Sequence, residues 1–438
     1  MQSASKSFEK GDPRVISAWC WFDWANSVYP LVITTAVFPI YYSSITDPVV
    51  EFLGMKISNT VLYAYTISFS FLVVALLSPI LSGIADYAGR KKLFMQIFST
   101  IGAFSAMGLF FFQGMDTLGL GLGLAVVASI GFAGSLVFYN AFLPEIALPE
   151  QMDKVSARGF TMGYIGSSIQ LILSLVLIMF GPDWGIDKGL ATRISFLSAG
   201  IWWFGFAFIT WRGLPEIYFQ PVKGKGQIFS QGFKELKSVF MQLNQKGNGA
   251  LRLFLLAFFF YSMGYMTVIY LATPFAEKEL HMQATELILT IMIIQFVGIA
   301  GSYAFAWLSS KIGNIRAIMV SVVIWSAVCG ITYFVQDSVG FYGVAFCVGT
   351  VMGGIQALSR STYAKLLPEG THDHASFYAF YDITEKLGIT LGSYSFGLIE
   401  VLTGSMRGSA LFLCVFFAVG LILLAVVDAM RRRAGMAI

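Results

Sequence analysis

The chain is expected to be an all-α membrane protein, and three observations carry that expectation. First, 57% of its 438 residues are hydrophobic and only 12% are charged, about half the charge of a soluble domain. Second, apolar segments long enough to cross a bilayer recur twelve times, six on each side of a polar stretch at 213–251. Third, Lys and Arg crowd the loops of one side by about four to one, the asymmetry that orients membrane helices. The alternating pattern of an outer-membrane barrel is missing. The 44 glycines suit helices that approach one another closely in lipid.

Taken in order, spans 1 to 6 fall at 16–45, 59–85, 93–113, 119–141, 160–180 and 194–212. Spans 7 to 12 fall at 252–275, 285–309, 317–336, 340–364, 376–400 and 408–429. The expected organisation is an N-terminal six-helix bundle (1–212), a cytoplasmic linker (213–251) and a C-terminal six-helix bundle (252–438). Met1 to Arg14 is polar and shows no cleaved signal peptide. With the N-terminus inside, the basic loops hold Lys6, Lys10, Arg14, Arg90 to Lys92, Lys154, Arg158, Lys223, Lys225 and Arg431 to Arg433. A cell-membrane protein with both termini in the cytoplasm follows. The net charge of +4 reflects that orientation, and nucleic acid is not an expected partner. Around Phe229 to Phe240 the linker is amphipathic. A helix on the membrane surface is one reading, and a solvated connector is the plainer one. Cys20, Cys329, Cys347 and Cys414 sit inside apolar segments without ligand spacing, as small core residues.

Span 1 opens with Trp19-Cys20-Trp21-Phe22-Asp23-Trp24-Ala25-Asn26-Ser27, so a carboxylate and an amide lie inside an apolar run. Ionisable groups in hydrocarbon are costly and normally face a bundle interior or a wet cavity. Pro30 has no N–H for the carbonyl of Asn26, so a kink is expected there, with a free backbone acceptor beside polar side chains.

The halves repeat. Leu148-Pro149-Glu150 precedes span 5 as Leu367-Pro368-Glu369 precedes span 11, and Gly89-Arg90 corresponds to Gly313-Asn314. Ser82-Gly83-Ile84-Ala85-Asp86-Tyr87-Ala88-Gly89-Arg90-Lys91-Lys92 resembles the loop signature of the major facilitator superfamily, and Ser310 to Asn314 is a degraded second copy. The opening Trp-x-x-Asp-Trp-Ala-Asn-Ser run resembles the Atg22-like, or UMF1, branch of that superfamily. So do Gly353 to Ser361 and Phe377 to Asp382, followed by Lys386 and Gly388. The resemblance implies twelve helices in two parallel halves, secondary transport and, from the eukaryotic namesake, amino-acid efflux.

Several residues are candidates for contact with a solute. Asp23 can titrate or receive a cation, or it is a structural carboxylate. It lies nine residues after Arg14, roughly 13 Å along a helix, so it is only modestly deep. Asn26, Asn140 and Gln356 are amides in apolar spans, as are Gln170 and Gln295. Such amides are more often glue between helices than ligand contacts. Asn26 and Gln356 gain weight because spans 1 and 10 line the cavity in the resembled fold. Tyr261 and Tyr265 share one face of span 7, where packing is the plainer reading. Arg360, at the inner end of span 10, either snorkels to the interface or attracts a substrate carboxylate.

Other residues are candidates for coupling or gating. Asp382 and Lys386 stand i, i+4 on span 11 in the favourable order, an internal pair or a gate. Glu385 lies about 100° off that face and is expected to be the free, protonatable carboxyl. Asp86, Arg90 and Lys91 form the inner loop that the resemblance makes an inter-half latch. Glu145 and Glu150 are the carboxylates placed to meet Arg90, though solvation is the plainer reading of both.

Glycines 119, 121 and 123 have no strand before them and no Lys after them, so they read as helix packing rather than a phosphate loop. Glycines 159, 163 and 166 read as a close helix crossing. His372 and His374 read as a solvated loop rather than a metal site. The expectation is therefore a monomeric secondary transporter, not an enzyme, for a small-molecule polar solute in a lipid bilayer, coupled to protons and without cofactor. A membrane-embedded lipid-handling protein and a sensor that has lost transport are the alternatives. The first lacks clustered His, Cys or Ser chemistry, and the linker is too short for the signalling domain the second requires.

Overall fold

The computed structural model describes residues 9–52, 54–216 and 228–433; Lys6, Lys223 and Lys225 fall outside them. Among the described residues, eleven helices are long and apolar enough to cross a membrane. Span 11 forms a twelfth long helix, His374–Thr403, which packs Asp382, Glu385 and Lys386 into little more than one turn. An amphipathic helix, Ile228–Leu243, stands between spans 6 and 7. A short antiparallel hairpin, β1 (Val49–Phe52) and β2 (Met55–Ser58), joins spans 1 and 2. Two paired four-residue strands carry too weak a signal to be seen among the helices.

Two compact units cluster along the chain. One comprises Met1–Phe142 and Met162–Phe233, the other Leu143–Thr161 and Lys234–Ile438. The start of span 5 therefore belongs to the second unit although the remainder of its helix, Met152–Phe180, belongs to the first.

In the first unit span 3 packs on spans 4 and 6, span 1 on span 6 and span 2 on span 4. In the second, span 9 packs on spans 10 and 12, span 7 on span 12 and span 8 on span 10. Every one of these pairs recurs six spans later, which is the repeat expected from sequence. The loop glycines agree. Gly89 ends the span 2 helix at φ 62°, and Gly313 stands between spans 8 and 9 at φ 86°. Both are left-handed turns that a side chain would strain.

Small residues set the closest crossings. A Cβ on Gly163 would meet Ser27 Oγ at 2.5 Å, and one on Gly166 would meet the Trp24 carbonyl at 2.8 Å, so span 5 lies against span 1. On span 11, a Cβ on Gly392 would meet the Met263 carbonyl of span 7 at 2.6 Å. The packing expected at residues 119, 121 and 123 holds only in part. Gly121 faces the Phe112 ring, while Gly119 and Gly123 face open space.

Span 1 changes its winding where Pro30 requires it. The chain is α-helical over Pro13–Asn26, has wide turns over Tyr29–Val37, and is α-helical again over Phe38–Ile45. Across the wide turns Phe38 donates its N–H five residues back, to Ile33. Such turns relieve a missing ladder bond and often mark functional positions.

Candidate functional site

In the first unit the polar centre is built on span 1. Trp19 stacks on Tyr139 of span 4 at 4.3 Å, and its indole N–H donates to the Tyr139 carbonyl at 2.9 Å. This fixes the phenol, whose Oη donates to Asp23 Oδ2 at 2.8 Å. Asp23 is buried, and Asn26, one turn later, is more deeply so. The Asn26 amide nitrogen finds no hydrogen-bond partner. A buried amide donor with nothing to satisfy it is costly unless something else occupies its hydrogens. On its other side, span 1 is clamped by span 6. Trp202 donates to the Trp24 carbonyl at 3.1 Å and Thr210 to the Ala18 carbonyl at 2.7 Å. Asn140 is half-buried beside Tyr139. Gln170 is interhelical glue, donating to Ser198 Oγ at 2.7 Å. Removing the phenol hydroxyl with Tyr139→Phe should leave a buried carboxylate short of a donor. The expected loss is about 1–3 kcal/mol, read as a lower midpoint in thermal melts of the detergent-solubilised protein.

In the second unit three ionisable groups of span 11 form one cluster. Lys386 Nζ stands 3.2 Å from Asp382 Oδ1 and 3.2 Å from Glu385 Oε2. The side chains of Asp382, Glu385 and Lys386 are only 9%, 18% and 10% exposed. Glu385 is thus not the free carboxyl expected from its offset on the helix. The long, pliable lysine stem bridges the angle between them, and Tyr265 Oη donates to Glu385 Oε1 at 3.4 Å. Asp382 keeps a second oxygen, Oδ2, that is buried and without a hydrogen-bond partner. Two carboxylates share one ammonium, so the cluster carries an excess of acceptors.

Beside it lies an aromatic layer. Tyr261 and Tyr265 are fully buried, and Tyr261 Oη stands 2.7 Å from Ser359 Oγ of span 10. Tyr363, Tyr378 and Tyr381 pack with ring centroids 5.0–5.9 Å apart. Tyr378 Oη donates to the Arg360 carbonyl at 3.1 Å.

Arg360 does not snorkel. It is 3% exposed, with Nε donating to Ser156 Oγ at 2.9 Å and Nη2 to the Ser156 carbonyl at 2.9 Å. The guanidinium lies over the Phe160 ring at 4.3 Å. Inward contacts with a carbonyl, a hydroxyl and a ring satisfy the planar fork better than the interface would. Half-buried Gln356 precedes it by one turn.

The same segment, Leu143–Thr161, makes two further attachments within its unit. Asp153 Oδ2 pairs with Lys365 Nζ of span 10 at 2.6 Å, while Asp153 Oδ1 accepts from Asn314 Nδ2 of span 9 at 2.6 Å. Asn314 also donates to Thr362 Oγ1 at 3.1 Å. Glu145 Oε1 stands 2.8 Å from His374 Nδ1. Glu145 is therefore held by a histidine rather than solvated, and His374 opens the span 11 helix instead of belonging to a wet loop. Among the described residues no group of three or more His, Cys, Asp or Glu could hold a metal ion.

Sequence reasoning gave no role to Asp153, Ser156, Tyr139 or Lys365. A signal existed for Asp153 and Lys365, since both stand near the mouths of otherwise apolar spans. In the signature loop, Asp86 and Lys91 are buried together at 3.7 Å, whereas Arg90 is exposed and Glu150 is exposed.

The family described as "Vacuole effluxer Atg22 like" matches residues 11–436. An uncharacterized MFS-type transporter, YxiO, of Bacillus subtilis is 35% identical, with 94% of each chain covered. Autophagy-related protein 22-1 of Penicillium rubens is 26% identical over 90% of this chain and 80% of its own. The chain belongs to the Atg22-like family of major facilitator transporters. Solved relatives share the fold of this Atg22-like chain at low identity. The human organic anion transporter MFSD10 superposes with TM-score 0.72 at 12% identity, covering 95% of this chain and 100% of its own. FucP in its outward conformation does so with TM-score 0.68 at 14% identity, covering 95% and 98%. This Atg22-like protein is thus a multi-pass membrane transporter.

Proposed function

We propose that this Atg22-like transporter moves a small polar solute by alternating access, with amino acids the first class to test and export the first direction. The observation that carries the reading is the Asp382–Glu385–Lys386 cluster, buried in a spanning helix with more acceptors than donors. Groups so costly to place in lipid are retained where ions or solutes pass. Proton coupling fits that excess, with Asp23 as the matching carboxylate of the first unit. Asn26, Asn140, Tyr261, Tyr265 and Gln356 are the proposed solute contacts. Arg360, bound by Ser156, moves from that group to an inner latch with Asp153, Glu145, Lys365 and His374. Opening toward the cytoplasm requires Leu143–Thr161 to part from the ends of spans 9, 10 and 11. Asp86, Arg90 and Lys91 keep their proposed gating role through the loop signature. The Lys and Arg asymmetry supports a cell-membrane location with cytoplasmic termini.

Proteoliposomes holding the purified protein and a panel of amino acids and other polar metabolites provide the test. Counterflow of at least one solute, accelerated by an imposed proton gradient, is the expected result. Folded protein that moves none of them under any gradient would count against the reading.

A further inference from the structure

Within the second unit, residues 234–243 of the amphipathic helix Ile228–Leu243 present two faces. One is used by the protein. Val239 and Leu243 are buried, Gln242 Nε2 reaches Asp373 Oδ2 at 3.5 Å, and Asn248 Nδ2 donates to the Gln242 carbonyl at 2.8 Å. The other face is open. Lys234, Lys237, Phe240 and Met241 are all exposed and fall within an arc of about 120° at 100° per residue. Phe240 is 57% exposed and Met241 53%, and the phenylalanine ring lies 6.3 Å from that of Phe380, tilted by 34°.

A connector in water has no use for a phenylalanine and a methionine beside two lysines. A protein-binding face would be depleted of lysine. Basic residues interleaved with large apolar ones on one helix face are the pattern of a helix lying in the membrane interface. Further basic residues stand at the helix ends that follow. Arg252 is exposed at the start of span 7, and the span 12 helix ends in Arg431, Arg432 and Arg433. Those two ends are adjacent, because a Cβ on Gly249 would stand 3.3 Å from Met430 Cε.

We propose that this face is a docking surface for anionic phospholipid, with Lys234 and Lys237 against the headgroups and Phe240 and Met241 among the upper acyl chains. The attraction holds the linker helix to the bilayer, so that the linker responds to the lipid composition of the leaflet it touches. The proposal concerns a surface away from the solute contacts and does not depend on which solute is carried.

Hydrogen exchange of the full-length protein in nanodiscs tests it. Discs of phosphatidylcholine alone are compared with discs carrying a quarter phosphatidylglycerol. Peptides covering 234–243 should exchange more slowly in the anionic discs, by roughly fivefold for each lysine engaged, and high salt should remove the difference. Lys234→Glu with Lys237→Glu should abolish the difference. Phe240→Ser with Met241→Ser should leave the salt-sensitive part and raise exchange in both discs. Equal exchange of the wild type in the two discs overturns the proposal, as does slowing that survives the lysine substitutions. Protection that arises only when soluble protein is added also overturns it, and assigns the face to a protein partner.

Discussion

Lys386→Gln is expected to be the most damaging single substitution in the second unit. The ammonium is the shared partner of Asp382 and Glu385, 3.2 Å from each, and its loss leaves two carboxylates within one turn of a buried helix. Breaking a buried pair by removing one member costs about 3–5 kcal/mol, because the remaining charge is left uncompensated. Here two charges remain and repel. The variant should melt at lower temperature in detergent and lose counterflow. Adding Asp382→Asn should recover part of the stability, since one carboxylate is then easier to accommodate than two. The two substitutions should therefore be clearly non-additive. A double variant no more stable than Lys386→Gln alone would mean that the three groups do not act as one cluster.

Asp153→Ala is the second large effect. It removes the partner of Lys365 at 2.6 Å and of Asn314 at 2.6 Å. Hydrogen bonds to charged groups contribute about 1.5–3 kcal/mol each. The two do not add in full, since Lys365 keeps Asn314 Oδ1 at 3.3 Å, and a loss of about 2–3 kcal/mol shifts an equilibrium by a factor of roughly 30–150. Peptides of Leu143–Thr161 and of the span 10 end near Lys365 should then exchange their amide hydrogens faster. Those around Asp382, two turns into the span 11 helix, should change little. Uniform acceleration across the unit would indicate general destabilisation instead of a released latch.

Much of the fold was legible because lipid imposes a simple demand. Every backbone group in a span must bond internally, so long apolar runs can only be helices. Pro30 announced the break after Asn26, and the glycines at 163 and 166 announced a close crossing of span 5, though not that span 1 is the partner. Span 11 was legible as a helix that carries Asp382, Glu385 and Lys386 inside an otherwise apolar run. The site was read less well. Spacing placed Asp382 and Lys386 together, yet it set Glu385 apart, because a helical wheel treats side chains as rigid spokes. Arg360 was left between the interface and a substrate carboxylate because the partner it has here, Ser156, lies 204 positions away. Asp153 escaped notice for the same reason, with Lys365 lying 212 residues on. Local pattern carries no information about such pairs.

Alternating access makes one demand that needs no knowledge of the solute. The latch segment must move relative to the helix ends that hold it. Spin labels at Lys154→Cys and Lys311→Cys, both exposed, report that separation by pulsed electron resonance in nanodiscs, with the native cysteines replaced. A short distance dominant in the parent, and a longer one gaining population with Asp153→Ala, is the expected result. A single unchanged distance in parent and variant alike would contradict the transport cycle described above.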